Sequence, residues 1–566
     1  MIKAWKVGQN KRMKSLKSKK IDFIVGVIIG TIIFITIYGI DILNVANDSW
    51  IMNGGGVDFK QHYLGWRFYR NSEWTFPIGM SNGFLYPNEM SIIYTDSIPI
   101  IALIFKVLSP LLPKTFQYMG VYGLLCFALQ GGLSCIILSK FINRYKAFIG
   151  TIFFIISSVL FQRMYYHTAL GSQWLILLYI SIWIYKNNFK SFKSQCIISI
   201  LLPILGISIH FHLFAICSVI FAGYLLNLFF ENYNLKQTII LLFIYIGTAI
   251  FIMYILGGFT SEILPTADGL GIYSANLNTL FNSFNYTLFT KALPVYGEGQ
   301  YEGYAYLGLG IIILFFIMLS YCIIPVHFKE LWMKYKNEML SIFITGIILY
   351  ILALSPIITL NNWKIELSIP KVLKEYWGIF RSTGRFIWPV MYGVMIFSII
   401  FVDKILEKRT GFILFIIVAI IQIVDMFPVI KENYKKYHQE YDYTCDLQSS
   451  IWENLALDYQ HVEFMFNYSF NDIYLKKWPQ IFSYGYYAVN HNMTISNFHF
   501  SRSVEEKVQN IIDKDRKELL NGNVKGDTIY VFEKDNFNQE YYKKSNLYFY
   551  EIDNELIGIK YPIIEQ

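Results

Sequence analysis

The chain has few charged residues and few cysteines for its length. Only 16% of its 566 residues are charged and six are cysteine, whereas 55% are hydrophobic and the mean hydropathy is positive. No CxxC pair is present, which excludes a cysteine-based zinc module and a disulfide-rich scaffold. This composition departs from that of soluble domains and predicts a polytopic α-helical membrane protein.

Positive charge is concentrated at the N-terminus. The net charge of +8 equals that of the first twenty-one residues, so no basic surface for nucleic acid is left elsewhere. The apolar run at 21–40 that follows is long enough to cross a hydrocarbon core of roughly 30 Å. The positive-inside rule then makes residues 1–20 a basic cytoplasmic tail.

Apolar runs, and the lysines and arginines between them, predict about eleven spans with the N-terminus inside and the C-terminus outside. The transmembrane domain then covers residues 21–427, with a long first outer loop at 41–116. The predicted spans lie near residues 21–40, 117–139, 147–160, 173–185, 196–209, 213–230, 237–256, 304–324, 339–355, 386–402 and 412–424.

One apolar run, residues 98–112, is short and contains Lys106, Pro99 and Pro110, with Pro113 directly after it. We expect it to form a helix on the outer membrane surface, because a crossing there would move the basic loop near residue 140 to the outer face. A true crossing and a re-entrant hairpin are the alternatives.

Beyond about residue 428, hydrophobic runs shorten to the length of strands, as in HVEFMF, DTIYVF and LYFYEI. A polar stretch with helical character lies among them at 504–520. This pattern predicts a small extracytoplasmic α/β domain over residues 428–566.

The predicted spans lack Asp, Glu, Lys and Arg away from their ends, and no internal repeat is visible. Ion-coupled transporters usually keep ionisable groups near mid-membrane and are often built from repeats. Ionisable residues instead gather at the predicted outer surface, a pattern that favours chemistry on a lipid headgroup.

The first outer loop begins with the segment GGGVDFKQHYLGW, residues 54–66. On a helical turn, Asp58, Gln61 and His62 would lie on or beside one face. We expect Asp58 to act as a general base whose pKa is raised by partial desolvation, with His62 assisting and Gln61 binding substrate. Alternatively, Asp58 caps a surface helix and His62 is a packing residue.

Further polar candidates occupy the other predicted outer loops. Asp96, in YTDSIP, is a catalytic candidate or an N-cap before Pro99. Arg163 and His167, in FQRMYYHTALGSQW, are substrate-binding candidates, although Arg163 could equally anchor at the interface. Glu302, in GQYEGYAYLGLG, is another substrate-binding candidate beside glycines that permit close backbone approach.

Two arginines, Arg381 and Arg385 in RSTGRFIWP, lie at the predicted outer edge of the tenth span. A guanidinium offers a forked pair of donors to a departing phosphate, so we expect one of them to bind a lipid phosphate unless both are interfacial anchors. His210 and His212 are two residues apart and cannot share a helix face, which disfavours a zinc site.

This arrangement, with an acid in the first outer loop, a surface helix and an outer C-terminal domain, resembles the GT-C superfamily of membrane glycosyltransferases. The motifs WTFPIG, YTDSIPIIALIFKVLSPLLP, FQYMG, YEGYAYLGLG and GRFIWP resemble more closely an uncharacterised family of bacterial multi-pass membrane proteins, over most of the chain. The first resemblance implies that a sugar is taken from a polyprenyl-phosphate donor on the extracytoplasmic side of the cell membrane.

The resemblance implies transfer to an extracytoplasmic acceptor such as a cell-wall polymer, a surface glycan or a protein. It also allows a divalent cation, Mg or Mn, with Asp58 and either Asp96 or Glu302 as oxygen ligands. A transporter or flippase of lipid-linked sugars is an alternative. So is a non-catalytic scaffold with a glycan-binding outer domain.

Overall fold

The computed structural model describes residues 2–232, 234–259, 269–322, 325–467 and 478–563. Helices dominate up to residue 437, because the sequence there consists of long apolar runs separated by short polar breaks. They are α1 Ile2–Tyr38, α2 Ser49–Met52, α3 Val57–Asn71, α4 Pro99–Val107, α5 Met119–Ser139, α6 Arg144–Ile155, α7 Ser158–Arg163, α8 Trp174–Ile184, α9 Phe192–Ile209, α10 Phe211–Asn232, α11 Leu235–Ile255, α12 Leu309–Cys322, α13 Pro325–Leu354, α14 Lys371–Gly378, α15 Trp388–Ile405, α16 Lys408–Asp425 and α17 Phe427–Tyr437.

Within the described residues, seven of the helical segments are long and apolar enough to cross a membrane, and the bent pair α16–α17 makes eight if it counts as one span. Three shorter apolar segments, Thr168–Ile184, Leu309–Tyr321 and Glu338–Leu354, coincide with the other predicted spans. The chain is therefore a multi-span helical membrane protein. The count of eleven crossings and the N-in orientation stay predictions, and residues 323–324 of the eighth predicted span lie outside the described residues.

Ion pairs tie the helices together at one end of the bundle. Asp22, near the start of the apolar part of α1, meets Arg144 of α6 at 2.5 Å, and Lys146 meets Asp403 of α15 at 2.6 Å. Lys186, just after α8, pairs with Glu231 of α10. We call this the basic end, because the N-terminal basic segment leads into it, and we call the opposite end of the bundle the loop end.

The first span is fixed against α5 by glycines. A Cβ on Gly26 would lie 2.3 Å from the carbonyl oxygen of Gly131, so only glycine permits this approach. At the loop end of α1, the Tyr38 ring packs edge-on against Tyr165, with ring centroids 5.3 Å apart. This packing holds the start of the first loop beside the turn that follows α7.

The predicted surface segment at 98–112 forms the nine-residue helix α4, followed by a short 3-10 turn at Ser109–Leu111. Nine helical residues rise about 14 Å, which is half of what a crossing needs. Lys106 is buried, donates to Ser72 Oγ at 3.1 Å and lies over the ring of Tyr69. Its apolar neighbours Val107 and Leu111 are exposed.

The C-terminal region contains a five-stranded sheet, three strands of which the sequence predicts. HVEFMF, DTIYVF and LYFYEI give β5 His461–Phe464, β7 Thr528–Phe532 and β8 Tyr548–Ile552, and the polar stretch gives helix α20 Glu505–Leu520. The prediction did not include β6 Thr494–Ile495, β9 Glu555–Ile559, α18 Ser450–Asp458 or α19 Trp478–Asn490. The order is β6-β5-β7-β9-β8, with β6, β5 and β7 parallel and the last two pairings antiparallel.

Two hairpins lie in the loops of the helical region. They pair β1 Met80–Ser81 with β2 Met90–Ser91, and β3 Ile357–Leu360 with β4 Trp363–Glu366.

The C-terminal sheet domain rests on the first loop. Arg67 of α3 donates to Asn490 Oδ1 at 2.9 Å, and Asn71 donates to the carbonyl of Val489 at 2.8 Å. Backbone hydrogen bonds also join Ile495 of β6 to the loop, through the carbonyl of Gly83 at 2.8 Å. The first loop is therefore the layer between the helical bundle and the sheet.

Candidate functional site

Helix α3 carries the first candidates. It begins at Val57 with Gly56 as its N-cap, so Asp58 lies in the first turn and does not cap the helix. The Asp58 side chain is about one-third exposed, and its Oδ1 lies 3.6 Å from Nε2 of His499 in the C-terminal domain. His62, one turn further along, is fully buried.

Asp96 sits in a short link between a 3-10 turn at Ile92–Thr95 and α4. Its backbone has a φ of 54°, in the left-handed region, and the N-cap of α4 is Ile98, so the capping alternative for Asp96 is wrong. Its two carboxylate oxygens face two histidines: Nε2 of His167 lies 3.5 Å from Oδ2, and Nε2 of His210 lies 3.5 Å from Oδ1.

His62, Asp96 and His167 form a group that fits a metal ion. Each residue offers one possible ligand atom, a ring nitrogen of either histidine or a carboxylate oxygen of Asp96, and these three atoms lie within 4.8 Å of one another. Both ring nitrogens of His62 and Nδ1 of His167 are buried without a hydrogen-bond partner in the described part of the chain. Buried polar atoms usually have partners, so these orphaned nitrogens are themselves a sign of a missing ligand.

The electrostatics of this group favour a bound cation. Burial lowers the pKa of His62 and of His210, each to about 3, so both rings are neutral at neutral pH. Burial alone would raise the pKa of Asp96, but His210 and His167 outweigh it, so the pKa of this carboxyl lies below its ordinary value. An ionised carboxylate beside neutral imidazoles is the protonation state in which these groups bind metals.

The pKa of Asp58 is lowered, whereas the sequence predicts that it is raised. Burial does raise it, but contact with His499 and the nearby imidazoles of His167 and His62 have the larger combined effect. Asp58 is therefore ionised at neutral pH and is ready to accept a proton, although it is a weaker base than expected.

Glu302 is held by two arginines. Its Oε2 accepts from Arg163 Nη2 at 2.7 Å and from Arg385 Nε at 2.8 Å. Burial would raise the pKa of Glu302, but Arg163 and Arg385, and to a lesser degree His167, bring it well below its usual range. This ion-pair cluster therefore adjoins the His62–Asp96–His167 group. Because Glu302 is already paired twice, it is a poor choice for the predicted metal ligand.

Two further candidates have local partners. Gln61 is buried and donates to the carbonyl of Tyr94 at 3.3 Å, so it supports the link that carries Asp96. Arg381 donates to the Tyr273 hydroxyl at 2.9 Å, and its guanidinium lies 4.7 Å from the centre of that ring.

The sequence prediction missed three residues of this region. His210 was set aside because two residues with a spacing of two cannot share a helix face, but it lies at the junction between α9 and α10, where that rule does not apply. His499 and Arg502 belong to the C-terminal domain. The only local signal for them is the segment FHFSR, a histidine and an arginine among aromatic residues.

A cavity of about 250 Å³ opens beside the first turn of α3. Its lining residues include Lys60 from α3, Asp442, Asp446, Ser483 and Phe482. Polar side chains of this kind can hydrogen-bond a hydroxylated ligand.

Comparison with known sequences and structures gives two family matches. A family described as "Domain of unknown function (DUF6311)" matches residues 27–427, and its C-terminal domain family matches residues 451–560. No curated protein sequence matches the chain. Among solved structures, the apo Archaeoglobus fulgidus oligosaccharyltransferase is similar, with 12% identity and a TM-score of 0.39. That similarity covers 84% of this chain and 64% of the archaeal one.

Proposed function

The chain belongs to the DUF6311 family, and we propose that it is a membrane glycosyltransferase that uses a polyprenyl-phosphate-linked sugar as donor. One observation carries the proposal. Asp58, Asp96, His167 and Glu302 come from three separate loops, and they converge at the loop end of a bundle of apolar helices. Clustered ionisable groups with perturbed pKa values at the edge of such a bundle are typical of a reaction site.

In the proposed reaction, Asp58 takes the proton from an acceptor hydroxyl. The hydroxyl oxygen attacks the anomeric carbon with inversion, and the bond between that carbon and the phosphate oxygen breaks. Its electron pair leaves with the polyprenyl phosphate. Arg381 or Arg385 stabilises the charge that develops on this leaving group, as forked guanidinium donors do for phosphates.

A divalent cation fits His62, Asp96 and His167, which we propose as its ligands. When bound, it would offset negative charge on the donor phosphate. Two imidazoles and one carboxylate suit a transition metal such as Mn better than Mg, which prefers an all-oxygen shell. This assignment replaces the ligand pairs predicted from the sequence, Asp58 with Asp96 or Glu302.

The acceptor in this proposal is an extracytoplasmic glycan, cell-wall polymer or protein. The cavity beside Lys60 supports this choice, because the polar residues Lys60, Asp442, Asp446 and Ser483 in its lining suit a hydroxylated molecule.

The test is release of polyprenyl phosphate from a panel of polyprenyl-phosphate hexoses and pentoses by the purified chain. We expect Asp58→Asn to abolish release while leaving the protein level and thermal stability unchanged, because an amide cannot accept the proton. Asp41→Asn, an exposed aspartate in the same loop, is the matched control and should keep full activity.

The same assay separates the two rival functions. A flippase would move the donor between leaflets without releasing polyprenyl phosphate, and a scaffold would bind the glycan without turnover. Release that persists in Asp58→Asn would remove Asp58 from its role as the base.

A further inference from the structure

Residues 498–502 of the C-terminal domain, with the sequence FHFSR, extend from the sheet into the candidate site. Phe498 and Phe500 are buried, and Phe498 packs against Phe68 of α3 with ring centroids 5.6 Å apart. Neighbouring residues of an extended segment point to opposite sides, so His499 is directed away from this aromatic core and toward Asp58. Ser501 then anchors the segment, its backbone NH donating to the carbonyl of Tyr94 at 2.8 Å.

Tyr94 is the point at which this segment meets the rest of the site. Its carbonyl accepts from both Ser501 and Gln61, and its hydroxyl donates to the carbonyl of Gly258 at 2.7 Å. Asp96 follows two residues later. These hydrogen bonds fix the position of residues 498–502 relative to Asp58 and Asp96.

Arg502 lies where the segment ends. Its Nη2 donates to the carbonyl of Ile379 at 2.7 Å, and Asp96 and Arg381 are the charged groups that act on it. Within the described part of the chain, this is its one hydrogen bond, and it has no ion pair there. Its other N–H donors therefore remain for a ligand.

Arg502 and Arg381 belong to the same part of the site, because Arg502 donates to the carbonyl of Ile379, two residues before Arg381. Two guanidinium groups placed in this way can together bind an anion. The guanidinium fork matches the geometry of phosphate oxygens.

From these contacts we propose that residues 498–502 complete the active site: His499 positions the base Asp58, and Arg502 together with Arg381 binds the phosphate of the lipid-linked donor. This inference rests on the proposed glycosyl transfer and extends it. The C-terminal domain would then be part of the catalytic machinery and would not serve only to select an acceptor.

The His499 part is tested by kinetics on the full chain. His499→Ala should lower kcat about 10- to 100-fold with little change in KM, because a misplaced base loses its alignment without weakening donor binding. His499→Gln, which keeps a donor near the position of Nε2, should recover much of the loss. His491→Ala in the same domain is the control and should behave like the wild type.

The Arg502 part is tested by binding of farnesyl phosphate, with farnesol as the comparison. Arg502→Gln should weaken farnesyl phosphate binding about 10- to 100-fold and leave farnesol binding unchanged, because the lost hydrogen bonds are to a charged group. Arg502→Lys should retain part of the affinity. Arg516→Gln, an exposed arginine paired with Asp513, is the control and should bind both lipids normally.

Failure of this inference and failure of the proposed function give different results. If His499→Ala and Arg502→Gln behave like the wild type while Asp58→Asn is inactive, residues 498–502 do not belong to the site and the glycosyltransferase proposal stands. If the wild type never releases polyprenyl phosphate, the proposed function fails. Equal loss of farnesyl phosphate and farnesol binding in Arg502→Gln would overturn the phosphate assignment.

Discussion

Glu302 gives a prediction about acid stability at the scale of a single residue. Arg163 and Arg385 keep its pKa below the value of 4.5 expected for an unfolded chain, so the folded state binds fewer protons there than the unfolded state. The stabilisation is therefore fully present above that value and is lost progressively as the pH falls below it toward the lower pKa of the folded state. We expect the wild type to lose thermal stability when the pH is lowered from about 7 to about 3.

Glu302→Gln removes this dependence. Breaking a buried ion pair while leaving its arginines in place should destabilise the protein by about 3–5 kcal/mol at neutral pH. The variant should then lose less further stability on acidification than the wild type does. Melting curves of both proteins in detergent at the two pH values measure the difference, and parallel losses would show that Glu302 does not carry this part of the acid sensitivity.

His62 gives a prediction about metal content. Its two ring nitrogens are buried and lack partners in the described residues, so we expect the purified protein to retain a divalent transition metal. His62→Ala should lower the metal bound per chain, measured by elemental analysis after dialysis against the free ion. His438→Ala, an exposed histidine directly after α17, should leave it unchanged. Equal metal content in all three proteins would contradict the site.

At the scale of elements, the contact between α3 and the link that carries Asp96 can be tested at one glycine. A Cβ on Gly65 would lie 2.5 Å from Cβ of Thr95 and 2.9 Å from Oγ of Ser97. Gly65→Ala should therefore push the helix and the link apart, at a cost of about 1–3 kcal/mol, and separate His62 from Asp96. Turnover and melting temperature should both fall.

Gly56→Ala is the matched control for this change. Gly56 is the N-cap of the same helix with a φ of −73°, and a Cβ there would meet nothing within 4 Å. It should melt and turn over much like the wild type. If Gly65→Ala behaved the same way, the close packing of α3 on the Asp96 link would not matter for the site.

The elements themselves are largely readable from the sequence, because each depends on local pattern. Apolar runs locate helices at every predicted span, and alternating hydrophobic runs locate β5, β7 and β8. The two-residue strand β6 and the helix α19 are not predicted from the sequence, because neither has a distinctive hydrophobic pattern. The break between α9 and α10 is a single residue, His210, and no turn motif in the sequence predicts it.

The site is less readable, because it depends on contacts between distant parts of the chain. Asp58, Asp96 and His167 could be picked from their places in predicted loops. Their partners His499 and Arg502 lie about 400 residues further on, beyond the reach of any local rule. The direction of the Asp58 pKa shift was also out of reach, because it depends on the histidines that the fold brings to it.

At the scale of the whole molecule, ionisable groups are divided between the two ends of the bundle. Those at the basic end include Asp22 with Arg144 and Lys146 with Asp403, which pair directly and tie helices together. At the loop end, the single carboxylate of Asp96 lies among the imidazole rings of His62, His167 and His210. The ionisable groups at the basic end pair with each other, whereas those at the loop end offer ligand atoms to a metal ion.

This division leads to a prediction about orientation. The positive-inside rule puts the basic end in the cytoplasm, so the sheet domain and the candidate site should face outward. Leu457, on α18, is 83% exposed, and Lys408 is exposed at the start of α16 at the basic end. In intact cells, a membrane-impermeant maleimide should label Leu457→Cys. It should label Lys408→Cys only after permeabilisation, with the signal of the native cysteines subtracted. The reverse pattern would place the site in the cytoplasm, where it could not meet an extracytoplasmic acceptor.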